Sequence, residues 1–267
     1  MNKMEKALRE LGTMDELASL ASPIHRLNAG AKLLCTVVYI ITVMSFHKYD
    51  LAALIPMALL PVLVFQISGI PIRTCFYKLR IVLPLVMAVG LFNPIYDRAE
   101  LFNISGVSVS GGVVSMLTLM LKGVLCLMAS FILVATTPFD CICASLRKMH
   151  FPATLVTLLL LTYRYVGVMT AELAVMTDAY RLRAPGQKGV HFSAWGSFLG
   201  QLLLRSMDRA QDLYQSMLLR GYHQHFHYAP VKAFRGIDAA YMIAGISLVM
   251  LFRFVNITQL LGGLVTG

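Results

Sequence analysis

The sequence predicts an all-α polytopic membrane protein, with about five transmembrane helices plus a cytoplasmic module of one short and two long helices. Three observations carry this reading. Of the 267 residues 58% are hydrophobic and 13% charged, against a charged share of about 25% in soluble domains. The apolar residues gather into long runs. Positive charge is shared unequally between the segments that join them.

The runs at 31–46, 51–68, 81–96, 110–136 and 236–256 carry few or no charges. The longer ones reach the ~20 residues a helix needs to cross ~30 Å of hydrocarbon. A sixth run, 153–162, stops at Arg164; it is too short for a span and reads as a buried or interfacial helix outside the membrane. The charged, amphipathic beginning, MNKMEKALRELGTMDELASL, has no short apolar core with a small-residue cleavage site, so no cleavable signal peptide is expected. Cys35, Cys75, Cys126, Cys141 and Cys143 form an odd set without Cys-x-x-Cys spacing, and read as reduced apolar residues.

The net charge of +10 is spread through loops, which speaks for topology and against nucleic acid. With 137–235 placed in the cytoplasm, alternation across five spans puts the N-terminal segment and a 69–80 loop on the same side. That side then holds Lys3, Lys6, Arg9, Arg26, Arg73, Lys78, Arg80 and eleven Lys/Arg from Arg147 to Arg235. The other side holds only Lys48 and Arg98, the bias expected for a cytoplasmic N-terminus in a prokaryotic plasma or inner membrane. Three regions follow: 1–136, an N-terminal cytoplasmic segment and four transmembrane helices; 137–222, cytoplasmic coupling helices; and 223–267, a juxtamembrane loop and the last transmembrane helix.

Within the module, Thr137-Pro138 and Asp140 open a short helix, supplying an anion to its positive end. Pro152 opens a second helix, about 153–183, which Ala184-Pro185-Gly186 terminates. A third, about 194–220, carries Gln201, Arg205, Asp208, Asp212 and Gln215 on one face; Leu199, Leu203, Ala210, Leu213, Tyr214, Met217 and Leu218 lie largely on the other. It ends at Gly221, the residue type favoured just past a helix C-terminus. Both long helices finish in an arginine, as Leu182-Arg183-Ala184 and Leu219-Arg220-Gly221. A guanidinium at a helix end complements the dipole, and its donor fork also suits carboxylates and carbonyls of another protein. Two in matched positions favour the second role.

The stretches SPIHRLNAGAKLL (22–34), TTPFDCICASLRKMHFPATLV (136–156), LTYRYVGVMTAELAVMTDAYRLRA (161–184) and LLLRSMDRAQDLYQSMLLRGY (202–222) resemble the T component of energy-coupling factor (ECF) transporters, the CbiQ/EcfT family. The N-terminal segment and the TTPF and LLLRSMDRA stretches look closest to its cobalt/nickel subgroup. The resemblance implies an energy-coupling subunit of an ABC importer, itself not an enzyme and binding no cofactor directly. Its partners would be two ABC ATPase subunits carrying ATP and Mg, and a membrane substrate-binding subunit for cobalt or nickel. Contacts to the ATPases would come from Leu182, Arg183, Ala184, Leu219, Arg220 and Gly221. Ala184 stands where the family frequently has glycine, which leaves Arg181 as a possible substitute for Arg183.

Two other functions remain open: a stand-alone secondary transporter or channel, and an ECF T component for a vitamin. None of the thirteen Asp/Glu lies within the first four runs, and Asp238 sits at the edge of the fifth, so an ion-coupled carrier lacks its usual acidic groups. No phosphate loop, His-Glu-x-x-His or Gly-x-Ser-x-Gly is present. Arg253 is expected to snorkel. Lys122 either lines a cavity or packs against a partner subunit or a neighbouring carbonyl. Tyr163, Arg164 and Tyr165 serve either as a contact with the substrate-binding subunit or as an interfacial anchor. His223, His225 and His227 read as a polar-aromatic stretch at the membrane surface, with metal binding as the lesser alternative because no carboxylate or cysteine completes the set.

Overall fold

The computed structural model describes residue 18 and residues 22–70, 72–96, 100–104, 107–187, 189–222 and 234–254. These fall into two compact units, one within Leu17–Pro138 and Val231–Gly267, the other within Phe139–Pro230. The first contains helices α1 (Ala29–Met44), α2 (Leu51–Leu54), α3 (Leu59–Ser68), α4 (Ile72–Tyr96), α5 (Gly111–Thr136) and α9 (Gly236–Phe254). The second contains α6 (Phe139–Lys148), α7 (Ala153–Arg183) and α8 (Trp195–Leu219).

In the first unit the combined segment Leu51–Ser68, α5 and α9 are each long and apolar enough to cross a membrane, while α1 and residues 82–93 of α4 are shorter apolar helices. The protein is a multi-pass membrane protein. Side-chain contacts fix the direction of each helix. Near the start of α1, Lys32 Nζ donates to Thr136 O at the end of α5 (2.8 Å), so these two are antiparallel. Tyr39 Oη donates to Met57 O (3.0 Å). Leu54 and Met57 share a core with Leu125, while Phe65 stacks on Phe131 (6.2 Å between centroids); the 51–68 segment therefore runs with α5. Asn93 Nδ2 donates to Ser115 Oγ (3.1 Å), and Leu79 packs with Ile132 and Ala135, so α4 and α5 form an antiparallel pair.

The ends of α1 and α9 meet twice. Asn28 N–H, at the cap of α1, donates to Asp238 Oδ1 (2.8 Å). At the other ends, Arg253 Nη2 donates to Ser45 O (3.3 Å). Hence α1 and α9 are parallel, and the five apolar segments alternate as the sequence predicts. Parity also limits α7. Three crossings between α1 and α9 return the chain to the side where α1 begins; one further crossing would reverse α9.

Two expectations need correction, and one element is new. The helix expected over about 153–183 is present as α7, but the view that its apolar start is too short to span does not hold, since the 31-residue helix is by length and composition able to cross a membrane. What keeps it from being a lone crossing is parity, not shortness. The supposed 69–80 loop shrinks to a turn at Gly69 (φ +70), because α4 begins at Ile72 and takes Arg73, Lys78 and Arg80 into its first turns. Finally, a short antiparallel pair, β1 (Glu100–Ile104) and β2 (Val107–Ser110), lies between α4 and α5, with Asn103 opposite Ser108 and Ile104 opposite Val107. The alternation Val-Ser-Val-Ser over 107–110 is the period-two signal that suits a strand.

In the second unit, α6 bears Asp140 in its first turn and Arg147 and Lys148 in its last, matching the dipole. Its Cys143 packs with Val156 and Leu160 of α7. Helix α8 buries none of its residues.

Candidate coupling surface

The two arginine ends are built differently. Helix α7 stops where Pro185 follows Ala184: the Ala184 N–H still donates to Tyr180 O (3.0 Å), but its φ of −128° and ψ of 69° have left the helix. Position 184 therefore does not need glycine, and Ala184 is compatible with the turn. Helix α8 ends in a Schellman motif: Gly221 N–H donates to Leu218 O (2.9 Å) and Tyr222 N–H to Met217 O (3.0 Å), with Gly221 at φ +79°. That left-handed conformation strains any side chain with a Cβ.

Arg183 is the last helical residue of α7, and Arg220 caps α8. Beside them Leu182 is 84% and Leu219 90% exposed, an arrangement no water-facing helix end requires. Arg181 is held 3.7 Å from Asp178 on its own helix. The guanidiniums of Arg183 and Arg220 make no hydrogen bond or ion pair among the described residues.

Helices α7 and α8 run in opposite directions. Glu172 pairs with Arg205 near the middle, while Leu161, Arg164 and Tyr165 share a cleft of about 620 Å³ with Arg209, Arg220 and Tyr222. Arg183 lies 19 residues beyond Arg164 on α7, roughly 30 Å at 1.5 Å per residue. The two arginine ends thus sit at opposite ends of the pair. Of the Tyr163-Arg164-Tyr165 group, Tyr163 stacks on Phe139 (4.3 Å between centroids), whereas Arg164 and Tyr165 line the cleft. The apolar side of α8 is divided: Ala210, Leu213 and Met217 face a second cleft shared with α7, and Leu199 and Leu203 remain exposed.

Residues 20–228 match the model of the CbiQ family, described as cobalt transport protein. The chain belongs to the CbiQ family. Among its relatives, the cobalt transport protein CbiQ of Rhodobacter capsulatus is 34% identical over 93 residues, 34% of this chain and 37% of the relative. The nickel permease LarQ of Lactiplantibacillus plantarum is 30% identical over 91 residues, 34% of this chain and 33% of the relative. The ECF transporter transmembrane protein EcfT of Leuconostoc gelidum subsp. gasicomitatum is 26% identical over 255 residues, 86% of this chain and 91% of the relative.

In the membrane unit three basic side chains among the described residues, Lys32, Lys122 and Arg253, donate to backbone carbonyls. Lys122 Nζ donates to Phe46 O (2.5 Å), which selects the neighbouring carbonyl among the alternatives the sequence leaves open. Arg253 reaches the same end of α1, its guanidinium 4.5 Å over the Phe46 ring. Lys32, which sequence reasoning overlooked, is buried, although its place inside the otherwise uncharged run 31–46 was the signal. Among the described residues no group of three or more His, Cys, Asp and Glu is placed to hold a metal ion. His223, His225 and His227 lie outside the described residues.

Proposed function

We propose that this CbiQ-family chain is the transmembrane energy-coupling subunit of an ECF-type ABC importer, linking two partner ATPases, which bind ATP and Mg, to a membrane substrate-binding subunit. The observation that carries the reading is the pair of arginine helix ends. Each presents an unpaired guanidinium beside an almost fully exposed leucine, and the two are roughly 30 Å apart. One end suits each of two separate ATPases. An apolar side chain flanking a guanidinium fits a groove with a carboxylate at its base. Because Arg181 is already paired with Asp178, Arg183 is the better candidate for the first contact.

The coupling helices lie in the cytoplasm in this reading, as does the N-terminus, which agrees with the positive-inside bias. The cargo is cobalt or nickel: the family description names cobalt, and two relatives are named for cobalt and nickel. A self-contained ion-coupled carrier fits less well, since both Asp238 carboxylate oxygens accept backbone N–H groups, from Asn28 and Arg235.

The test is co-purification of candidate ATPases through a tag on this chain, with Arg183→Ala plus Arg220→Ala as the comparison. Wild type should recover both ATPases and support labelled Co²⁺ or Ni²⁺ uptake, and the double variant should lose both while staying in the membrane. Recovery of a stable chain alone, moving solute in liposomes, would overturn the proposal.

A further inference from the structure

Lys32 is 4% exposed, and capping a helix does not account for an ammonium at that depth. A carbonyl at a helix end is satisfied as well by a hydroxyl or by water, whereas a buried ammonium is costly to desolvate. Its acceptor gives a better reason. Lys32 Nζ donates to Thr136 O (2.8 Å), and Thr136 and Thr137 are both buried. The membrane unit ends at Pro138, directly after them, and the coupling unit begins at Phe139.

The chain returns to the membrane unit ahead of Arg235, and this second joint is held at the same place. Arg235 N–H donates to Asp238 Oδ2 and Asn28 N–H to Asp238 Oδ1, each at 2.8 Å. Asn28 and Lys32 stand one turn apart at the start of α1, where Lys32 N–H donates to Asn28 O (3.3 Å). The first turn of α1 therefore grips the membrane-unit side of both joints. An unheld joint absorbs motion in a few backbone rotations, while one fixed by a charge-assisted bond passes it on. We infer that Lys32 is a positioning residue for energy coupling: it clamps the end of α5 at Thr136, so that displacement entering at Phe139 moves α1 instead of bending the joint. This rests on the coupling role proposed above.

The measurement is Co²⁺ entering proteoliposomes per ATP hydrolysed, with the full chain reconstituted beside both ATPases and the substrate-binding subunit. A ratio does not depend on how much complex folds, so a lysine that only stabilised the bundle would leave it unchanged. K32M removes the donor; it should recover both ATPases and hydrolyse ATP while the ratio falls about tenfold, within the usual range of coupling between sites. K32R restores a donor and should regain most of the loss. A Gly-Gly insertion between Pro138 and Phe139 leaves the Lys32 bond intact but loosens the joint beyond it. It should give the same fall, and it decides the outcome if K32M does not reach the membrane. A wild-type ratio in K32M or in the insertion would overturn the inference. Wild type that recovers no ATPase would reject the coupling role itself and this inference with it, a failure visible before any ratio is measured.

Discussion

Asp238 shows how one side chain can organise two helix ends. Its Oδ2 accepts the Arg235 N–H (2.8 Å), closing the first turn of α9, while its Oδ1 accepts the Asn28 N–H (2.8 Å) that precedes α1. Asn28 in turn caps α1 by accepting Gly30 N–H (2.8 Å). Backbone donors buried at helix starts need such acceptors, and losing a charged one costs about 1.5–3 kcal/mol. Asp238→Ala should therefore lower stability by about 2–3 kcal/mol, read as a fall in thermal midpoint in detergent, whereas an unchanged midpoint would mean that water satisfies both donors. The lysines obey the complementary rule. Lys32 reaches the terminal carbonyl of α5 and Lys122 a carbonyl just past α1, the negative ends of those helices. In the second unit, burial pushes the Cys143 thiol up to about 11, with the nearby Asp140 carboxylate acting in the same direction. A raised thiol pKa keeps the protonated form in the folded state at neutral pH, and stability should decline as pH rises from about 9 toward 11. Maleimide should leave Cys143 unmodified at pH 7.5 and modify it only on unfolding or as the pH approaches 11.

At the scale of elements, α1 and α9 approach closely at one glycine. A Cβ on Gly245 would stand 2.7 Å from Cys35 Sγ, nearer than side chains tolerate. Gly245→Ala should push these helices apart and reduce stability by about 1–3 kcal/mol; adding Cys35→Ala, which removes the sulfur, should restore most of the loss. Failure of the second change to rescue would place the cost elsewhere. Contacts of this kind are invisible in a single sequence, because Gly245 looks like any glycine in an apolar run. What was legible had a local cause: Pro152 before α7, Ala184-Pro185-Gly186 after it, Gly221 closing α8, and Asp140 opening α6. Local signals also misled. Arg73, Lys78 and Arg80 resemble a loop when charge alone is read, yet α4 carries them in its first turns. The two arginine endings look equivalent in sequence, but the antiparallel course of α7 and α8 sends them to opposite ends. Direction between helices depends on tertiary partners such as Glu172 with Arg205, and no periodicity encodes it.

For the whole molecule the decisive constraint is parity. Because α1 and α9 are parallel, with Asn28 near Asp238 at one end and Ser45 near Arg253 at the other, an odd number of crossings must separate them. The segments 51–68, α4 and α5 supply three. Helix α7 is apolar enough to add a fourth, and a crossing by it would require α8 to cross as well; α8 carries Arg205, Asp208, Arg209 and Asp212 within two turns, which hydrocarbon would disfavour by several kcal/mol. The expectation is that both helices stay on one side. Single cysteines introduced at Lys48, His150, Gly189 and Phe234, all exposed positions, turn this into a labelling pattern. With an impermeant maleimide and the unsubstituted chain as background, position 48 should react in intact cells, and positions 150, 189 and 234 only after permeabilisation. If 189 reacted together with 48 while 150 did not, α7 would be a true span and the coupling ends could not both face cytoplasmic ATPases. If all four positions kept their grouping but exchanged sides, the bundle would stand and its orientation would be inverted, placing Arg183 and Arg220 where no ATP-binding partner can reach them.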